Sequence, residues 1–181
     1  MTDKSMEKLR SLLKTYEERT AKAGVDAGAG PGGAAGTGAG PGPGPEVKTI
    51  HDEGERRRRA CGERLQKVVR PVLQAFMDEL KNAGHEASIQ DHTDSADAYP
   101  SVALGLTPRA PGGTALASVL TFRYDPRRGI AVSRDIKPSA MKARLVTAST
   151  DRIGTMKVDA VSAEWVGTKT LSFIEAVLKV N

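Results

Sequence analysis

Residues 24–45 are almost entirely Gly, Ala and Pro, and ten of these 22 residues are Gly. Such a stretch has no large side chain to bury, so it cannot repay the entropy of ordering its own backbone. It therefore divides the 181-residue chain into three expected units. Residues 1–23 form an arm, residues 24–45 a disordered linker, and residues 46–181 the folded domain. As a flexible coil the linker would span roughly 25–30 Å on average. The remaining ~135 residues are enough to bury a self-sufficient core.

The arm predicts a helix. Met6, Leu9, Leu12, Leu13 and Tyr16 recur at three- and four-residue steps, with Lys4, Lys8, Arg10, Lys14, Glu17, Glu18 and Arg19 on the other side. Asp3 or Ser5 suits its start, and Gly24 its end. A helix of about 20 residues is marginal alone in water, so its stripe needs a partner surface. Three surfaces suit it. These are its own domain, a groove on a partner or on a second copy, and a membrane surface, for which Tyr16 is the sole aromatic anchor.

Within the domain, Cys61, Leu65, Val68, Val69, Val72, Leu73, Phe76, Met77 and Leu80 form a helical stripe that passes through Pro71 without losing phase. That predicts a kinked helix, closed by Asn82, Ala83 and Gly84. Residues 101–106, 114–124 and 129–136 read as strands, the last two joined by a turn at Asp125–Gly129. An edge strand near residues 87–90 and a further pair at 143–149 and 155–161, turning at 151–154, complete four to five strands. A second helix follows, capped by Asp159 or Ser162, with Val166, Thr170, Phe173, Ile174, Val177 and Leu178 as its stripe. Short connections require antiparallel neighbours. The expected architecture is a two-layer α+β domain, one face of a mostly antiparallel sheet covered by a long N-terminal and a C-terminal helix. Ala103, Ala117, Val119 and Ala131 fall on the other face or near the edges, which makes a homodimer through that face a candidate.

Catalytic signatures are sparse. The chain has neither a Gly-x-Ser-x-Gly elbow nor a Gly-x-x-x-x-Gly-Lys phosphate loop. Asp91, His92, Asp94 and Asp97 are the densest polar cluster, but they lack the spacing of a calcium loop and the ligand count of a zinc site. No cofactor or metal is expected. Cys61 falls on the helical stripe and reads as core; a reactive thiol would need the field of the nearby arginines. A single cysteine, a charged N-terminus and the lack of any apolar run long enough for a span favour a cytoplasmic protein without a membrane segment.

Basic residues are the remaining signal. The net charge is +5. Arg56, Arg57, Arg58 and Arg59 are consecutive, and eight basic residues face three acidic ones between Arg123 and Arg152. Arg123, Arg127, Arg128, Arg134, Lys142 and Arg144 are the candidate anion or nucleic-acid contacts. The leading functional expectation is a non-catalytic adaptor that binds a protein partner through the arm residues Met6, Leu9, Leu12, Leu13 and Tyr16. A nucleic-acid module built on the basic hairpin and the arginine-rich start of the long helix is the alternative. A small enzyme or metal protein at the Asp/His loop ranks last.

Overall fold

The computed structural model describes residues 3–23, 48–93, 99–109, 115–138 and 149–181. The linker expected at 24–45 lies outside the described residues.

The long helical stripe is buried along a continuous helix made of α2 (Lys48–Arg64), one π-helical turn (Leu65–Val69) and α3 (Arg70–Asn82). Pro71 accounts for the middle piece. Its ring crowds the preceding turn and it has no N–H to donate. The helix widens just ahead of it, and the Arg70 N–H bonds to the Leu65 carbonyl five residues back. The four-residue steps Cys61, Leu65, Val69 and Leu73 suit that wider turn, and all four side chains are buried. Gly84, at φ +79°, then ends the segment.

Five strands follow as an antiparallel meander in the order β1-β2-β3-β4-β5. They are β1 (Glu86–Asp91), β2 (Ser101–Thr107), β3 (Ser118–Asp125), β4 (Gly129–Ile136) and β5 (Ser149–Met156). Register places Ile89, Leu104, Leu120 and Arg134 in one row, and Asp91, Val102, Phe122, Val132 and Gly154 in the next. These rows face the helices. The β3–β4 turn is tied by Asp125, whose Oδ1 accepts the N–H groups of Arg127 and Arg128. Gly129 holds φ +97°, and a Cβ there would collide with the Met156 carbonyl.

One strand assignment is corrected. Residues 151–154 are the middle of β5, not a turn between two strands. Asp151, Arg152 and Gly154 are turn-like residue types, and a bulge hides the alternation. Val132 pairs with Gly154 while Ser133 pairs with Arg152, leaving Ile153 as the extra residue. The expected strand at 155–161 becomes the end of β5 and a 3-10 turn (Val158–Ala160). Most of the expected strand at 143–149 lies outside the described residues.

Helix α4 (Ala163–Val180) starts at Ser162, whose Oγ accepts the Trp165 N–H. Its predicted stripe is buried throughout. Trp165 meets Phe122 edge-on, with ring centroids 6.0 Å apart, and seats the helix on the sheet. The result is an α+β domain with α2–α3 and α4 on one sheet face. Helix α1 (Asp3–Ala23) lies against this helix layer.

Candidate functional site

The two basic sets of the sequence meet at one end of the sheet. Arg57 on α2 stands over the β3–β4 turn, beside Arg127 and Arg128, and Lys157 enters from the end of β5. Together they edge an open pocket of about 750 Å³. Ala60, Tyr124, Pro126, Met156 and Val158 supply the apolar part of its lining. Asp125 and Asp159 are the carboxylates of the lining. Asp125 is already engaged by the turn N–H groups and by Arg152, at 3.7 Å. Arg57 carries Glu53 at 2.6 Å, one helical turn back, and both side chains are largely exposed. Arg127, Arg128 and Lys157 have no carboxylate partner within 4 Å among the described residues. Burial raises the Tyr124 phenol above its ordinary range, so it stays neutral and can serve the pocket as a hydrogen-bonding wall. Cations with little internal neutralisation beside an apolar lining suit an acidic ligand with an apolar side group.

The other predicted anion contacts separate. Arg123 points to the outer sheet face, where its guanidinium lies 4.8 Å from the Tyr99 ring centre. Arg134 is corrected: it faces the helix side, opposite Leu120, and pairs with Asp151 at 3.4 Å. Its Nε is buried, so Arg134 belongs to the packing of the sheet and not to a ligand surface. Lys142 and Arg144 lie outside the described residues.

The arm residues lie against the domain itself. Leu9, Leu13 and Tyr16 belong to the core, and Met6 and Leu12 are partly buried beside it. Ser5 lies close to Gly167 of α4, Arg10 pairs with Glu79 of α3 at 2.7 Å, and the Tyr16 hydroxyl donates to the Arg109 carbonyl at 3.2 Å. The stripe had to be buried, and the domain itself buries it. Among the described side chains of α1, no large apolar residue is fully exposed in this state.

The polar loop shows structural bonding. Asp91 accepts from Gln66 at 2.8 Å, from the Thr93 backbone and hydroxyl, and lies 3.3 Å from Arg70. These hydrogen bonds and the Arg70 charge outweigh burial and hold its carboxyl below the usual range. Gln66 also bonds the Thr93 hydroxyl. The π-helical turn thus pins the start of the loop. Asp94 and Asp97 lie outside the described residues. Among the described residues, no three His, Cys, Asp or Glu side chains gather as metal ligands. Cys61 is fully buried, and desolvation pushes its thiol up to about 12, so it carries no thiolate at neutral pH.

On the outer sheet face, Ala103, Val119 and Ala131 are interleaved with Ser88, Gln90, Thr121 and Ser133. The apolar positions are dispersed and do not form a contiguous patch. No helix among the described residues is long and apolar enough to cross a membrane.

Comparisons with protein-family models, with curated proteins and with solved structures find no match to this chain.

Sequence reasoning marked Arg127, Arg128 and the arginine run separately. It missed their convergence, and it missed Lys157 and Met156 as pocket walls. A turn tied by Asp125 at the end of a predicted hairpin was the only local signal for this region.

Proposed function

We propose that the protein is a non-catalytic interaction module whose binding site is the pocket at the β3–β4 turn. Its partner is a protein that presents acidic residues next to an apolar or aromatic side chain. The observation that carries this reading is that Arg57, Arg127, Arg128 and Lys157 line one pocket together with Tyr124, Pro126, Met156 and Val158. A phosphate backbone would use the cations but leave the apolar lining wet. A peptide side chain covers that lining while flanking carboxylates meet the cations. Single-strand binders stack bases on open aromatic faces beside the basic groove. Here Tyr99 lies beside Arg123 and is not part of the pocket lining, and Tyr124 presents no open ring face. The lone buried cysteine fits a reducing, cytoplasmic setting.

The test is fluorescence anisotropy on the full-length protein with two labelled probes. One is a peptide of alternating Glu and Trp, the other a single-stranded oligonucleotide. The peptide is expected to bind. Replacing both Arg127 and Arg128 by Ala should weaken it by about tenfold or more, each lost contact being worth about 1 kcal/mol. The thermal midpoint should stay unchanged. Binding of the oligonucleotide alone would turn the site into a nucleic-acid interface. Binding of neither would remove the reading.

A further inference from the structure

His85 is a buried polar group with no part in the pocket just described. It follows Gly84 at the corner between α3 and β1 and is 4 % exposed. Its Nδ1 accepts the backbone N–H of Arg109 at 2.9 Å. A neutral ring that accepts at Nδ1 must carry its proton on Nε2. That Nε2–H is buried without a hydrogen-bond partner among the described residues. The ring sits 5.6 Å from that of Tyr16, tilted by 59°. The Tyr16 hydroxyl in turn donates to the carbonyl of the same Arg109. The backbone of one residue therefore holds both the imidazole and the C-terminal half of α1.

We propose that His85 is a proton-sensitive latch for α1. With the ring neutral, Arg109 is fixed and Tyr16 docks on it; when the ring gains a proton, that end of the helix is released.

Valence decides where a second proton can go. Nε2 is already protonated, so a second proton can go only to Nδ1. Nδ1 then stops accepting and faces the Arg109 N–H as a second donor, which leaves two buried donors opposed. The imidazolium must also sit at a buried position beside Tyr16. Around the ring, α1 contributes Tyr16, Glu17 and Thr20, the end of α3 contributes Ala83, and the segment after β2 contributes Arg109. Glu17 favours the cation and Arg109 opposes it. Burial is the largest influence and holds the imidazole below its ordinary value. The sign follows. A depressed folded-state value means the docked form is at full strength above the ordinary value of about 6.5, and weakens as pH falls through and below it. Release would uncover the buried Tyr16 and, three residues before it on the same helix, Leu13, for a partner groove. This inference does not depend on the pocket reading.

Amide hydrogen exchange on the full-length protein, at about pH 7.5 and about pH 5.0 and corrected for intrinsic rates, tests it. Exchange over residues 12–20 is expected to rise about tenfold or more relative to β3 and β4. His85→Asn places a carbonyl oxygen near the Nδ1 position; it accepts from Arg109 but does not titrate. In that variant the acid-dependent rise should vanish. A flat wild-type profile, or an equal rise in His85→Asn, would overturn the latch. Should His85→Asn fail to fold, imidazole nitrogen NMR of the wild-type protein decides. The Nε2–H form at neutral pH, lost together with α1 protection on acidification, supports the proposal. The Nδ1–H form overturns it.

Discussion

Helices α1 and α4 are both amphipathic and of similar length, yet the domain uses them differently. Helix α4 buries eight residues, from Val166 to Leu178, between the sheet and the other helices. Helix α1 buries three, Leu9, Leu13 and Tyr16, and turns Lys8, Arg10, Lys14, Glu17 and Glu18 to water. A fully buried large apolar side chain contributes about 1.5–3 kcal/mol relative to exposure. Six such positions, Val166, Leu171, Phe173, Ile174, Val177 and Leu178, make a helix inseparable from the fold. Three, set against the entropy of ordering 21 residues, leave a helix that can be docked or undocked by a modest change at its seam. The His85 corner lies at that seam.

The largest effect should come from the core of α4. Phe173 is fully buried, and Phe173→Ala is expected to cost about 3–5 kcal/mol of global stability. In urea titration, every probe should shift together, since the sheet loses its cover. A loss below about 1 kcal/mol would show that α4 is no more integral than α1, and the contrast would fail.

A smaller and more local effect is expected from Leu9→Ala. Leu9 is as buried as Phe173, so the loss at the site should be about 2–4 kcal/mol. If α1 is separable, that loss is capped by the docking free energy of the helix. Amides of α1 should exchange faster while those of β3 and β4 keep their protection, and the urea midpoint should move less than for Phe173→Ala. Equal loss of protection across the sheet would make α1 a structural member of the core.

The same contrast explains what could be read in the sequence. The strands at Ser101, Ser118 and Gly129 follow simple alternation, and Ser162 and Gly84 stand where helices begin and end; these are local signals, and they were legible. The stripe through Pro71 was legible as a continuing helix, but the π-helical turn that relieves the proline was not, because the apolar steps of three and four fit either winding. In β5 a single bulged Ile153 erased the period-two pattern and left Asp151 and Gly154 to mimic a turn. The burial of Leu9, Leu13 and Tyr16 was demanded by the sequence, but the surface that satisfies it, on α3, α4 and the Arg109 corner, is non-local. So is the meeting of Arg57 with Arg127, Arg128 and Lys157. Charge alone could not separate Arg134, turned inward by strand parity and held by Asp151, from its neighbours.

The smallest effect should come from the ion pair that crosses the α1 seam. Arg10 donates to both carboxylate oxygens of Glu79, at 2.7 and 3.3 Å, and the proximity raises the Arg10 guanidinium further above its ordinary value. The geometry looks strong on paper, but the Arg10 side chain is 67 % exposed. Water and salt screen such a pair, and holding a long side chain in one rotamer offsets much of the attraction. Arg10→Ala should therefore leave the thermal midpoint in place and raise exchange in α1 by less than about twofold at physiological salt. At high salt the variant and the wild type should coincide. If Arg10→Ala instead released α1 as fully as Leu9→Ala, docking would be electrostatic and would weaken with salt at any pH. In that case a proton on His85 would be one charge among several at the seam, and burial of the apolar stripe would no longer be what separates α1 from α4.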